Sequence, residues 1–208
     1  RLQEGARHPE RIVGMHFFSP VQKMPLVEII RTPATADPVT AMAVRFVRRL
    51  GKTALVVNDA PGFWVNRILA PYLNEAGWLL QEGAAVDVID RTMTRFGFPV
   101  GPITLLDEVG LDVAAKASVV LGEAFGARLE PAPGVGRLVE EGRLGRKSGG
   151  GFYRYQKAKR RGVDASAMAL LDARPSGGPG PAEIERRLVL SLLNEAGHPL
   201  AEEVVRDP

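Results

Sequence analysis

The hydrophobic pattern of the chain changes at Pro61, and this change limits the folds open to its 208 residues. Before Pro61, β-branched and aromatic residues gather in short runs bounded by prolines and glycines, a pattern typical of β-strands. Three such runs are present, at residues 11–19, 25–32 and 52–59. After Pro61, apolar residues recur at every third or fourth position, which indicates amphipathic helices. The sequence therefore predicts a mainly α protein with a short α/β part.

The α/β part, residues 1–60, is predicted to follow the order β-β-α-β. Its helix is indicated by Asp37 as N-cap, Pro38 at the first helical position and a glycine at the end. Pro20 and Pro25 separate the first two runs. Because proline cannot donate a hydrogen bond to a strand ladder, we expect a crossover connection there rather than one continuous strand.

The rest of the chain is predicted to form a helical domain, a linker and a further helical segment. The predicted helices are 61–83 with a kink at Pro71, 86–96, 102–125 with a bend or break at Gly110, and 133–142. The predicted boundaries are 61–158 for the helical domain, 159–180 for the linker and 181–208 for the further segment. The linker is rich in charged residues, proline and glycine, which favours flexibility.

The further segment repeats the first predicted helix. Residues 67–83, RILAPYLNEAGWLLQEG, align with residues 187–203, RLVLSLLNEAGHPLAEE, and share the block LNEAG. Two amphipathic helices can resemble each other by chance, but five consecutive identities in register favour a true repeat. We therefore interpret residues 181–208 as the start of a second helical repeat. Because the chain also lacks an initiator Met, we expect it to be a fragment of a longer protein.

Composition narrows the classes of function. There is no cysteine, which excludes disulfides and cysteine-ligated metals. The net charge is only +3 and basic residues are mixed with acidic ones, so nucleic acid is not an expected partner. No apolar run approaches the roughly 20 residues of a membrane helix, and no secretory signal pattern is present. These features agree with a cytoplasmic location.

His16, Glu28 and Asn66 are the first candidates for chemistry. His16 lies in the first strand-like run and Glu28 in the second. A histidine with a carboxylate partner is the usual general-base pair, since the carboxylate fixes the tautomer and stabilises the imidazolium. Asn66 lies in a predicted helix, where asparagine is disfavoured unless its amide has a partner. A core histidine, an edge carboxylate and a packing amide would give the same spacing, so both interpretations stand at this point.

The triple glycine at residues 149–151 does not fit a phosphate-binding loop. No strand ends just before it, and neither GxGxxG nor GK[ST] occurs in the chain. Lys147 beside it could still meet an anionic ligand as a point charge. Asp107 and Asp112 are five residues apart, off one helical face, so we expect solvent-exposed or capping roles for them rather than metal binding.

Four segments together resemble the L-3-hydroxyacyl-CoA dehydrogenase family over residues 7–155. They are HPERIVGMHFFSPVQKMPLVEII, NDAPGFWVNRILAPYLNEA, GFPVGPITLLDEVGLD and GRLGRKSGGGFYRY. The resemblance implies that residues 1–60 are the trailing strands of a Rossmann-type dinucleotide-binding domain. It implies that residues 61–158 are a helical C-terminal domain like that of 6-phosphogluconate dehydrogenase. The family's GxGxxG loop and most of its NAD site are expected upstream of this chain.

The same resemblance implies roles for single residues in NAD-dependent oxidation of L-3-hydroxyacyl-CoA to 3-ketoacyl-CoA. His16 corresponds to the general base that removes the 3-hydroxyl proton, and Glu28 to the carboxylate that supports it. Asn66 corresponds to the asparagine that hydrogen-bonds the oxygen at C3. Ser19, where many family members have asparagine, and Lys147 correspond to positions that contact NAD.

The repeat extends the resemblance to the multifunctional α subunit of bacterial fatty-acid β-oxidation complexes, whose dehydrogenase part has two tandem helical domains. The implied partners are the 3-hydroxyacyl-CoA substrate and either a second copy or a thiolase subunit. Because most of the NAD site is expected upstream, we expect the 208 residues alone to be nearly inactive. The alternative is a non-catalytic helical module that dimerises or binds acyl-CoA.

Overall fold

A computed structural model describes residues 3–171 and 177–205 of the chain. Within this part, one compact unit comprises residues up to Asn66 together with those from Ala196 onward, and a second runs from Arg67 to Glu195. The elements, in chain order, are β1 (Gly14–Phe17), β2 (Leu26–Arg31), α1 (Asp37–Arg49), β3 (Thr53–Asn58), α2 (Val65–Gln81), α3 (Val86–Phe96), α4 (Pro102–Val109), α5 (Leu111–Phe125), α6 (Val135–Glu140), β4 (Tyr153–Gln156), β5 (Lys159–Val163), α7 (Ala165–Leu170) and α8 (Pro181–Ala201).

The first unit contains a three-stranded sheet in the order β1-β2-β3. β2 is central, antiparallel to β1 and parallel to β3. It is buried on both faces: Val27 and Ile29 pack with α1, while Ile30 packs with Val57 and with Val204 beyond α8. Glu28 is fully buried within the same strand, so a charged side chain occupies an otherwise apolar element.

Two local features of this unit differ from the sequence predictions. The connection between β1 and β2 is a turn between antiparallel neighbours, and the crossover instead runs through α1 between the parallel strands β2 and β3. The N-cap of α1 is Ala36 rather than Asp37. Asp37 is the first helical residue, where it pairs with Arg31 at 2.9 Å and faces the positive end of the helix dipole.

The second unit is a helical assembly with one apolar core. Residues from α2, α3, α4, α6, β4, α7 and α8 all contribute buried side chains to this core. α3 has the predicted bounds, and the predicted break at Gly110 separates α4 from α5. Gly110 has a φ of +102°, a conformation that glycine adopts without the cost other residues carry.

The predicted linker at 159–180 contains more regular structure than its composition indicated. β5 pairs with β4 as a hairpin, and Lys157 and Ala158 at its tip both have positive φ, as a tight hairpin turn requires. The charged residues are accommodated because most of β5 is exposed. α7 follows, capped by the Asp164 side chain. Residues 172–176 of the predicted linker lie outside the described residues.

Ion pairs connect α2 and α8, the two copies of the repeat. Arg67 Nε donates to Glu195 at 2.8 Å, and Arg187 Nε donates to Glu75 at 2.5 Å. In each copy the arginine opens the repeat and the glutamate belongs to LNEAG. The arginine of each copy thus binds the glutamate of the other, as an approximate two-fold relation between antiparallel helices would give.

Candidate active site

His16 and Glu28 form a cross-strand pair. The antiparallel register of β1 and β2 places the two residues directly opposite each other, so their side chains lie on the same face of the sheet. His16 Nδ1 lies 2.7 Å from Glu28 Oε2, a short distance for such a bond. The pairing of strands therefore brings together two residues that the sequence separates by twelve positions.

The other oxygen of Glu28 is held by the start of α2. Glu28 Oε1 accepts hydrogen bonds from the backbone N–H of Trp64 at 3.0 Å and of Val65 at 2.9 Å. Amides at a helix N-terminus favour a negative charge because they point outward and carry the positive end of the dipole. A turn at Gly62 and Phe63, both with positive φ, precedes these two amides. Glu28 is thus a fully buried carboxylate fixed at both oxygens.

His16 is oriented by its neighbours and remains accessible. Its ring lies 4.6 Å from that of Phe18 and 5.7 Å from that of Phe63, between centroids. Its side chain is 29% exposed, whereas Glu28 is 0% exposed. Because a carboxylate only accepts, the hydrogen bond assigns the proton of a neutral His16 to Nδ1 and leaves Nε2 as an acceptor. This arrangement is that of a general base with an orienting carboxylate.

The other predicted residues lie on two different units. Asn66 is exposed and follows Trp64 and Val65 in the sequence, as the second residue of α2. Ser19 is exposed in the turn after β1. Lys147 belongs to the second unit, where its ammonium group donates to Asp112 at the start of α5 and lowers the pKa of that carboxyl.

Asp107 differs from the sequence prediction of a solvent-exposed or capping role. It is buried in α4 and accepts hydrogen bonds from the backbone N–H of Phe152 at 3.0 Å and of Tyr153 at 2.9 Å. A Cβ at Gly145 or Gly151 would overlap Asp107. These two glycines are therefore needed for the close approach of the loop to Asp107, and the glycine-rich motif is structural. Burial raises the pKa of Asp107, although the two backbone hydrogen bonds oppose the shift.

Arg67 and Glu195 form a buried pair that the site prediction did not include. Both side chains are almost fully buried, and the Arg67 guanidinium lies 4.3 Å from the centroid of the Phe125 ring. The only signal in the sequence was the repeat, since both residues occupy repeated positions. In the part of the chain that the structure describes, no cluster of three or more metal-ligating side chains is present. No helix there is long and apolar enough to cross a membrane.

Two protein-family models match the chain. Residues 1–60 match the NAD binding domain of 3-hydroxyacyl-CoA dehydrogenase, and residues 62–155 match the C-terminal domain of 3-hydroxyacyl-CoA dehydrogenase. These matches confirm the predicted fold class, with a Rossmann-type part followed by a helical domain. They also confirm NAD as the cofactor of the matched domain.

Similar curated proteins are named fatty acid oxidation complex subunit alpha. The protein from Idiomarina loihiensis is 49% identical over 204 residues, which cover 98% of this chain and 29% of that protein. The protein from Shewanella amazonensis is 48% identical and is matched over 100% of this chain and 30% of its own length. The chain therefore spans less than a third of these relatives.

Similar solved structures are dehydrogenases. The (S)-3-hydroxybutyryl-CoA dehydrogenase of Ralstonia eutropha has 41% identity and a TM-score of 0.71, with 75% of this chain and 56% of that chain covered. The dehydrogenase part of multifunctional enzyme 1 from C. elegans has 28% identity and a TM-score of 0.71, with 99% of this chain and 48% of that chain covered.

Proposed function

Because the chain belongs to the 3-hydroxyacyl-CoA dehydrogenase family, we propose that it provides the general-base side of the NAD-dependent oxidation of L-3-hydroxyacyl-CoA to 3-ketoacyl-CoA. We assign this reaction to fatty-acid β-oxidation, in keeping with the names of the curated relatives. The observation that carries the proposal is the pairing of His16 Nδ1 with Glu28, which leaves Nε2 as the acceptor on a partly exposed ring.

In the proposed reaction, His16 Nε2 accepts the proton of the 3-hydroxyl group as the carbonyl forms at C3. Glu28 accepts the Nδ1–H hydrogen bond throughout and stabilises the imidazolium that results. The Asn66 amide, on the first turn of α2, donates to the oxygen at C3 and orients it. When bound, NAD supplies the acceptor for the hydride that leaves C3.

The residues of this chain are better suited to contact the nicotinamide end of NAD than to bind its diphosphate. The Ser19 hydroxyl is exposed three residues after His16, so it can meet a ligand near the base. The glycines at 145 and 151 are closed against Asp107 and cannot cradle a phosphate. We propose that Ser19 and Lys147 are the contacts to NAD that this chain supplies. The remaining contacts require a GxGxxG loop, a pattern that does not occur in these 208 residues.

We propose that the 208 residues alone turn over 3-hydroxyacyl-CoA slowly or not at all, because so few NAD contacts lie within them. Assembly with a thiolase subunit or with a second copy is also proposed, since the curated relatives are subunits of a fatty acid oxidation complex. The natural gene product that contains residues 1–208 is therefore the sample for activity tests. Turnover by residues 1–208 comparable to that sample would contradict the first of these proposals.

The test of function replaces His16 by Gln in the natural gene product and measures kcat and KM with 3-hydroxybutyryl-CoA and NAD. We expect kcat to fall about a thousandfold, because general-base catalysis is lost, with KM little changed. His8→Gln is the matched control, since His8 also pairs with a glutamate, Glu10 at 3.2 Å, on an exposed surface. If His16→Gln keeps kcat within about threefold of wild type, the base assignment is wrong and the non-catalytic module is favoured.

A further inference from the structure

The buried pair of Arg67 and Glu195 lies at the start of the helix that carries a proposed substrate contact. The side chains are 0% and 3% exposed. Glu195 Oε1 accepts from Arg67 Nε at 2.8 Å, and Glu195 Oε2 lies 3.7 Å from Arg128 Nε. The aromatic ring of Phe125 lies against both guanidinium groups. Burying two charges is costly unless the geometry is well defined, so the position of Arg67 is tightly determined.

The second pair in the repeat has the same chemistry in a different place. Arg187 binds Glu75 and makes two further hydrogen bonds to Glu82 at 2.6 and 2.9 Å. These three side chains are 22–38% exposed. The pair contacts α2 at Glu75, about three turns beyond its start, and reaches Glu82, the residue that follows its last one. Of these two related ion pairs, that of Arg67 lies in the first turn of α2, whereas that of Arg187 lies farther along the helix.

That first turn carries Asn66 immediately before Arg67. Consecutive residues of a helix leave its axis in directions fixed by the helical repeat. When Arg67 is held, the rotation of the turn and therefore the direction of the Asn66 side chain are held as well. The glutamate that holds Arg67 comes from α8, the second copy of the repeat, which carries none of the proposed catalytic residues.

We propose that Glu195 is a positioning residue for the dehydrogenase site, acting through Arg67 on the turn of α2 that presents Asn66. The proposal rests on the function proposed above, because Asn66 has a role only in that reaction. It gives the second copy of the repeat a part in the reaction beyond support of the helical core.

The test compares Glu195→Gln with the double variant Glu75→Gln/Glu82→Gln in the natural gene product. Glutamine keeps the size and the acceptor oxygen of glutamate but removes its charge. We expect Glu195→Gln to lower kcat on the order of tenfold with little change in KM, since small displacements of a positioning group are costly in rate. The double variant changes both carboxylates that bind Arg187, so we expect a lower thermal midpoint with kcat within about twofold of wild type.

Hydrogen exchange supplies a second readout. We expect amides in the first turn of α2 to exchange faster in Glu195→Gln and at the wild-type rate in the double variant. Equal losses of kcat in the two variants at matched thermal stability would show a merely structural role and overturn the proposal. A Glu195→Gln enzyme with wild-type kcat would overturn it as well.

His16→Gln and Glu195→Asp distinguish a failure of the positioning role from a failure of the proposed function. If the wild type oxidises substrate and His16→Gln does not, the proposed function holds whatever Glu195→Gln shows. If the wild type is inactive, the proposed function fails first and the positioning role fails with it. Should Glu195→Gln not fold, Glu195→Asp retains the charge but shortens its reach. We then expect an intermediate loss of kcat, and wild-type kcat in that variant would overturn the proposal.

Discussion

Glu28 in β2 and Asp107 in α4 are both buried carboxylates held by backbone amides. Their relative exposures are 0% and 1%. Glu28 accepts from the N–H groups of Trp64 and Val65, and Asp107 accepts from those of Phe152 and Tyr153, all at about 3 Å. In both cases the hydrogen bonds compensate for the removal of a charged group from water.

The two carboxylates differ in what their remaining contacts reach. Glu28 uses one oxygen for both amides and the other for His16, whose ring is partly exposed. Asp107 uses one oxygen for each amide and is covered by Gly145 and Gly151. Burial and amide support are therefore features of both a structural and a candidate catalytic carboxylate. The histidine partner of Glu28, whose ring is partly exposed, is what separates them.

Glu28→Gln is expected to have the largest effect on activity. The amides of Trp64 and Val65 require an acceptor, so the glutamine oxygen faces them and its NH₂ group faces His16. His16 Nδ1 must then accept a hydrogen bond from that NH₂ group, so the proton of the neutral ring moves to Nε2. Nε2 can then no longer accept a proton from the substrate, and the general base is lost. We expect kcat to fall on the order of a thousandfold or more, as when a catalytic histidine is held in the wrong tautomer.

The control for this variant is Glu10→Gln, which alters the exposed carboxylate beside His8. It is expected to leave kcat unchanged. A Glu28→Gln enzyme with kcat within about tenfold of wild type would contradict the tautomer argument. It would indicate that Glu28, like Asp107, has a structural role.

Gly151→Ala is expected to lower the stability of the protein by disturbing the packing around Asp107. The added Cβ would overlap Asp107, and forcing atoms into such a packed site costs about 3 kcal/mol. Gly150→Ala is the matched control, because its Cβ would meet nothing closer than 3.8 Å and we expect a change below about 1 kcal/mol. Urea unfolding of the two variants measures the difference. Equal midpoints would show that the loop does not depend on close approach to Asp107.

Asp164→Asn is expected to have the smallest effect. The Asp164 carboxylate is bound by the guanidinium of Arg143 and the hydroxyl of Ser166. Burial opposes its ionisation, but hydrogen bonds from Ser166 and Arg143 hold the pKa of Asp164 at about 2, below the ordinary 3.8. A lowered folded-state pKa contributes stability above pH 3.8 that is lost as pH falls towards 2. The variant should therefore lose less stability over this window, by under about 1 kcal/mol.

Thermal midpoints across the same pH window check this prediction. Asp59→Asn, at an exposed aspartate, is the control and should keep the wild-type dependence on pH. An Asp164→Asn variant with the same or a steeper acid loss would contradict the assignment.

The parts of the fold that the sequence predicted well depend on local patterns. The bounds of α3 and the break between α4 and α5 follow from apolar periodicity and from glycine at a position of positive φ. The pairing direction of β1 and β2 depends on contacts between segments, which the prolines of the turn do not reveal. β5 and α7 were hidden because charged residues at an exposed hairpin resemble those of a linker.

Prediction of the candidate site was limited in the same way, because the site also depends on contacts between distant segments. Spacing alone left His16 and Glu28 as either a base pair or unrelated side chains, and the family resemblance supplied their roles. Asp107 was misjudged because its partners, Phe152 and Tyr153, follow it by about 45 residues in the sequence. The repeat did contain usable information, since the alignment that matches Arg67 to Arg187 also matches Glu75 to Glu195.

Nitrogen NMR of residues 1–208 tests, without a need for turnover, whether Glu28 fixes His16 as the Nδ1–H tautomer. Long-range proton–nitrogen correlations distinguish the two neutral tautomers of an imidazole. We predict that neutral His16 carries its proton on Nδ1 in the wild type and on Nε2 in Glu28→Gln. Protonation at Nε2 in the wild type, or the same tautomer in both proteins, would show that Glu28 does not set the tautomer of His16.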